Sequence, residues 1–84
     1  MIQIQFEREK QRAAAYDGAA LIGCCEVQVS ETTWTITHTE VDPSYGGQGI
    51  ARKLVLCVVE QAEKEDAKVI PVCSYAETVL SQTE

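Results

Sequence analysis

His38 and Glu40 stand two residues apart in the segment Thr32 to Val41. On an extended chain that spacing puts both side chains on one face. An imidazole and a carboxylate together can accept a proton, directly or through water. Each also reads as structural, Glu40 as a partly exposed strand carboxylate and His38 as a hydrogen-bonded ring. Cys73 is a candidate nucleophile. A thiolate there could take an acyl group and pass it on, provided His38 or a helix N-terminus lowers the thiol pKa. The same residue reads as a small buried hydrophobe. Tyr75 could give a proton to a departing group, or pack with its hydroxyl in water. Cys24, Cys25 and Cys57 read as structural.

The most informative stretch is Val41-Asp42-Pro43-Ser44-Tyr45-Gly46-Gly47-Gln48-Gly49-Ile50-Ala51. A strand ends, glycines follow and a helix begins. The first N–H groups of a helix have no internal partner and carry partial positive charge. Glycines let a ligand approach that backbone closely. The combination suits an anion such as a phosphate. It is not a Walker A loop, because no Gly-Lys-Ser/Thr follows. Gly47-x-Gly49-x-x-Arg52 lacks the third glycine of the dinucleotide fingerprint, and no βαβ unit precedes it. A plain strand-to-helix connection is the alternative. Arg52 and Lys53 in the first turn oppose the helix dipole, a sign that a bound polyphosphate would reverse. They read equally as solvated surface charges.

These groups need elements to hold them. Ile2 to Phe6 alternates with period 2, a strand signature. Glu7 to Arg12 is charged and reads as a loop. Asp17-Gly18 between apolar runs predicts a two-residue hairpin. Ala20 to Val29 reads as a strand with Leu21, Gly23, Cys25, Val27 and Val29 on one face. Thr32 to Val41, rich in β-branched residues, reads as the third strand. Its alternation puts Thr35, Thr37, Thr39 and Val41 on one face and Trp34, Ile36, His38 and Glu40 on the other. Ala51, Leu54, Val55, Val58 and Ala62 form an apolar stripe, so a helix is expected from about Gln48 to Glu65. Lys68 to Cys73 reads as a short strand, kinked or at an edge because of Pro71. Ala76 to Gln82 reads as a terminal helix. The expected order is β-β-β-α-β-α, an α+β architecture.

The 84 residues make one domain, 1–84, with no room for a second. Any sizeable ligand must therefore lie in a surface groove. A net charge of −6 disfavours nucleic acid and anionic membrane surfaces as partners. No stretch approaches the ~18 apolar residues of a membrane span, and the charged start is no signal peptide. Four cysteines without CxxC spacing and a single histidine argue against a zinc site. They fit a reducing, cytoplasmic setting. A monomer or weak dimer is expected.

The run Val41-Asp42-Pro43…Gly47-Gln48-Gly49-Ile50-Ala51…Leu54 resembles the acetyl-CoA-binding motif of the GNAT N-acetyltransferase superfamily, commonly Gln/Arg-x-x-Gly-x-Gly/Ala. Ile36-Thr37-His38-Thr39-Glu40-Val41 and Val69-Ile70-Pro71-Val72-Cys73-Ser74-Tyr75-Ala76 extend the likeness to the very small stand-alone YjdJ-type GNAT-like domains. Together these segments span residues 36 to 76. Gly46 departs from the motif, standing where Gln or Arg is usual. The resemblance implies a minimal GNAT-like fold that binds acetyl-CoA through Val41, Gly46, Gly47, Gln48, Gly49, Ile50, Ala51 and Arg52. It implies acetyl transfer to a primary amine on a small molecule or protein, with His38, Glu40, Cys73 and Tyr75 as catalytic candidates. A backbone N–H near Val41 would serve the thioester carbonyl, and Cys73 could carry the acetyl group in a two-step route. The alternatives are a CoA-binding sensor or regulatory module without turnover, and a protein-interaction domain that uses its exposed β edge.

Overall fold

The computed structural model describes residues 1–72. Cys73, Tyr75 and the expected terminal helix lie outside the described residues. The strands are β1 (Ile2–Glu7), β2 (Arg12–Asp17), β3 (Ala20–Val29), β4 (Thr33–Val41) and β5 (Lys68–Pro71), and the helix α1 (Ile50–Lys64) joins β4 to β5. They form one sheet in the order β1-β2-β3-β4-β5. The first four pair antiparallel, and β5 pairs parallel with β4. The α+β class is as expected. Four strands precede the helix where three were expected. A 3-10 turn at Arg8–Lys10, closed by Gln11 in the left-handed region, lets the charged segment reverse the chain between two strands.

The hairpin loop is Gly18-Ala19, since Asp17 still pairs with Ala20. It is thus displaced by one residue from the expected Asp17-Gly18. Gly18 has φ +61 and Ala19 is not in the left-handed region, the pattern of a turn with glycine first.

Helix α1 covers one face of the sheet. Ile50, Leu54, Val55, Val58 and Ala62 are its buried side. They pack on Ala13, Ala15, Ile22, Cys25, Val27, Trp34 and Ile36. Phe6 stacks on Trp34 with ring centroids 5.1 Å apart. Gly23 is needed for this close fit. A Cβ there would meet the Glu40 carbonyl oxygen at 3.0 Å and Val41 Cγ2 at 3.1 Å.

Two bulges overturn the expected strand faces. Ala15 faces Gly23 but Tyr16 faces Leu21, so Ile22 is an extra residue in β3. The parity of β3 changes there. Ile22 enters the core, while Leu21 is left 46% exposed. In the same way Glu26 faces His38 but Val27 faces Ile36, so Thr37 is the extra residue in β4. A one-residue insertion turns all later side chains to the opposite face. Trp34 and Ile36 are therefore in the core, while His38 and Glu40 emerge on the helix-free face and are exposed. The four do not share a face. Val41 packs against the core, as its new parity requires.

Candidate functional site

The site is built around the end of β4. Its ladder with β3 continues to Gly23↔Val41, and among the described residues its ladder with β5 runs to Ile36↔Pro71. One further bond, from Val72 N–H to the Ile36 carbonyl, closes it. Beyond Ile36 β4 is paired on one side only, among the described residues.

The chain leaves β4 in a short sequence of tight turns. Asp42 N–H bonds the carbonyl of the bulge residue Ile22 at 2.7 Å. The Asp42 carboxylate accepts from Ser44 N–H and Ser44 Oγ at 2.9 and 2.8 Å. The Ser44 backbone and hydroxyl hold its pKa below the usual carboxylate range. Pro43–Tyr45 forms a 3-10 turn. Tyr45 Oη then donates to Asp17 Oδ2 at 2.6 Å, which ties the turn to the β2–β3 hairpin. The bond lowers the Asp17 pKa and raises that of Tyr45. Sequence reasoning missed this tie, because the partners lie 28 positions apart.

Gly46, Gly47 and Gly49 differ in what they contribute. Gly46 has an ordinary φ of −60, but a Cβ would sit 3.2 Å from the Pro43 carbonyl oxygen. The tight 3-10 turn thus gives a local reason for glycine at the motif's usual Gln or Arg position. Gly47 and Gly49 have φ +80 and +72, with open space where a Cβ would be. Gly49 is the N-cap of α1 and makes no side-chain cap. The helix therefore starts at Ile50, two residues after the expected Gln48. The first intrahelical bond runs from Lys53 N–H to the Gly49 carbonyl. The N–H groups of Ile50 and Ala51 thus precede the ladder, where helical donors lack intrahelical acceptors.

Val41, Tyr45, Gly46, Gly47, Gly49, Ile50 and Ala51 line a concavity of about 370 Å³ around this end. Six of the eight expected cofactor residues are thereby brought together. Gln48 and Arg52 flank it without lining it. Lys53 faces elsewhere, lining a cleft beside β1.

On the helix-free face, His38 Nε2 and Glu40 Oε2 are 3.2 Å apart. Their side chains are 54% and 67% exposed, so both are open to an incoming group. Glu26 lies across from His38, and Cys24 across from Glu40. Burial first, and then the nearby Glu26 and Glu40 charges, push the Cys24 thiol pKa up. Burial does the same to Cys57. Neither has the lowered pKa of a reactive thiolate. Further along this face Glu7 accepts from Arg12 Nε at 2.7 Å and from Tyr16 Oη at 2.6 Å. These two bonds hold its pKa below the usual carboxylate range.

Among the described residues no cluster of three His, Cys, Asp or Glu side chains could hold a metal ion. None of the described helices is long and apolar enough to cross a membrane.

Residues 6–84 match the family described as GCN5-related N-acetyl-transferase. No curated protein matches in sequence. Among solved structures, the fold is similar to the ribosomal-protein-S18-alanine N-acetyltransferase of Escherichia coli, with a TM-score of 0.74 at 18% identity. That alignment covers 86% of this chain and 50% of the other. A probable acetyltransferase from Staphylococcus aureus gives a TM-score of 0.72 at 16% identity, covering 99% of this chain and 87% of its own. A GNAT family acetyltransferase from Elizabethkingia anophelis, solved with acetyl-CoA bound, gives 0.66 at 22%, covering 86% and 50%. The chain thus spans half the length of the first and third of these proteins.

Proposed function

The chain belongs to the GCN5-related N-acetyltransferase family, and from that premise we propose that it binds acetyl-CoA at the Gly46–Ala51 turn and transfers acetyl to a primary amine. The observation that carries the reading is the uncapped, glycine-led start of α1. Gly49 offers no side-chain cap, and the space above Gly47 and Gly49 is open. The backbone donors of Ile50 and Ala51 there would meet the pyrophosphate of CoA. The 370 Å³ concavity fits a phosphate group with part of its carrier. Gly46, Gly47, Gln48, Gly49, Ile50, Ala51 and Arg52 would hold the phosphates, and Val41 the acyl end.

When bound, acetyl-CoA supplies an acetyl group activated as a thioester. The protein must then orient an amine, take its proton and steady the developing oxyanion. His38 and Glu40 would take the proton, the ring through Nε2 or the carboxylate through Oε2. Their separation of 3.2 Å lets them share it. Glu26 and Glu40 make this face attractive to a cationic amine. A backbone N–H near Val41 would meet the oxyanion. Cys73 would hold the acetyl group as a thioester between donor and acceptor, with Tyr75 protonating the departing thiolate. Cytoplasmic residence fits the free thiols of Cys24 and Cys57.

The test is a thermal-shift titration with acetyl-CoA, followed by acetyl release against a panel of amines. At 100 times the dissociation constant, binding adds about 2.7 kcal/mol of stability. A saturable rise together with amine-dependent CoA release supports the enzyme. A rise without turnover on any amine leaves a CoA-binding sensor or regulatory module. The absence of any rise at millimolar ligand overturns the proposal in favour of an interaction domain. Cys73→Ala should abolish turnover while leaving the thermal shift, and full activity in that variant would establish direct transfer instead.

A further inference from the structure

The two edges of the sheet are unlike. Strand β5 is four residues long, with Lys68 at one end and Pro71 at the other. Short length, charge and proline all discourage another strand from adding. Strand β1 is six residues long and pairs only with β2 among the described residues. From Ile2 to Phe6 it carries no charge, proline, glycine or bulge. Among the described residues it is an unprotected edge.

Its sequence is self-complementary. Ile2, Ile4 and Phe6 are part-buried toward the core, and Gln3 and Gln5 are exposed on the other face. If two copies of β1 pair antiparallel about a two-fold axis at Ile4, Ile2 meets Phe6, Ile4 meets Ile4, and Gln3 meets Gln5. Every apolar side chain then meets an apolar one, and every amide an amide. This is what an isologous interface requires.

The helix beside this edge repeats the symmetry. Ile4, Gln5, Phe6, Lys53, Leu56, Cys57, Glu60 and Gln61 line a cleft of about 430 Å³ between β1 and α1. Arg8 pairs with Glu65, which places the end of β1 beside the end of α1. Ile4 lies four residues back, ~13 Å along the strand. That distance is about nine helical residues, which brings Ile4 level with Leu56. Leu56 and Cys57 are also midway between Lys53 and Glu60. A two-fold axis at Ile4 therefore lays α1 antiparallel to its mate with Lys53 opposite Glu60 and Glu60 opposite Lys53. Lys53 is in no ion pair among the described residues. Glu60 has only the exposed contact with Lys64 at 3.6 Å.

We propose that a second copy of this chain docks on β1, joining the two sheets edge to edge, with the Lys53–Glu60 pairs closing the cleft on both sides of the axis. The proposal does not depend on acetyl-CoA binding.

Sedimentation equilibrium of the full chain over a wide concentration range tests it. The expected result is a reversible monomer–dimer equilibrium, against a monomer mass of 9.2 kDa. Lys53→Glu sets Glu against Glu60 and should weaken the dimer about tenfold. The exchange Lys53→Glu with Glu60→Lys should restore it. Gln3→Lys with Gln5→Lys sets lysines opposite one another on exposed positions and should leave only monomer. Circular dichroism verifies that each variant is folded. A wild-type chain that stays monomeric at millimolar concentration overturns the proposal. So does a dimer that is indifferent to the lysine pair, or one weakened by Lys53→Glu and not restored by the exchange.

Discussion

The glycine turn and the His38–Glu40 face adjoin the same strand end, yet they are made in opposite ways. The turn is made of backbone. Gly47 and Gly49 contribute the left-handed conformations, and the uncapped N–H groups of α1 supply the positive end. The His38–Glu40 face is made of side chains, His38 Nε2 and Glu40 Oε2 at 3.2 Å, and a single inserted residue determines where they point. A backbone site depends on which residues can adopt a conformation. A side-chain site on a sheet depends on register, and so on every pairing before it.

The sharpest way to break this contrast is to delete Thr37. Removing the bulge must either turn Trp34 and Ile36 out of the core or turn His38 and Glu40 into it. Losing the burial of Trp34 and Ile36 alone should cost on the order of 3 kcal/mol or more, read as a lower urea midpoint. An unchanged midpoint would show that the bulge does not set the faces. Next is Gly49→Glu, which puts a carboxylate at the proposed phosphate site and a side chain at φ +72. The CoA dissociation constant should rise about 100-fold or more, by ~3 kcal/mol of lost binding. Gly49→Ala separates strain from charge, since it costs only about 1–2 kcal/mol of stability and introduces no charge. A weaker effect is expected on the His38–Glu40 face. His38→Ala or Glu40→Gln should lower kcat about 10- to 100-fold with the thermal shift by acetyl-CoA intact. If kcat is unchanged in both, the pair is structural and the two regions share no chemistry.

Smaller still is the effect of Tyr45→Phe. It removes the bond to Asp17 Oδ2 that ties the turn to the hairpin, and should slightly weaken both stability and CoA affinity. Acid acts on the same ties. Glu7, Asp17 and Asp42 all have pKa values lowered in the folded chain. The unfolded chain therefore binds more protons as pH falls through the ordinary carboxylate range. Their contribution is present above that range and is lost as pH drops through the lowered folded values. Thermal midpoints between pH 6 and pH 3 should fall accordingly. The fall should be smaller in Tyr45→Phe, because Asp17 then loses the first cause of its shift.

The comparison also shows what could be read in advance. The hairpin, the helix and its apolar stripe followed from local rules, since Gly18, Gly49 and the spacing of Leu54, Val55, Val58 and Ala62 act within a few residues of themselves. The glycine turn was legible for the same reason. The faces of β3 and β4 were not. Period-2 alternation runs through a bulge without any local mark, so it groups Leu21 with Cys25 and Val27, and His38 with Trp34. The extra residues Ile22 and Thr37 are defined only by their partners across the sheet.

By itself, then, the sequence determined the α+β class, the helix and the glycine turn before it, all of which depend on backbone conformation and short-range spacing. The tertiary structure alone decided which strand face carries His38 and Glu40, the tie from Tyr45 to Asp17, and the β1 edge left open among the described residues beside its matching helix. Those depend on pairing between residues far apart in the chain, and pairing is a property of the assembled sheet rather than of any segment within it.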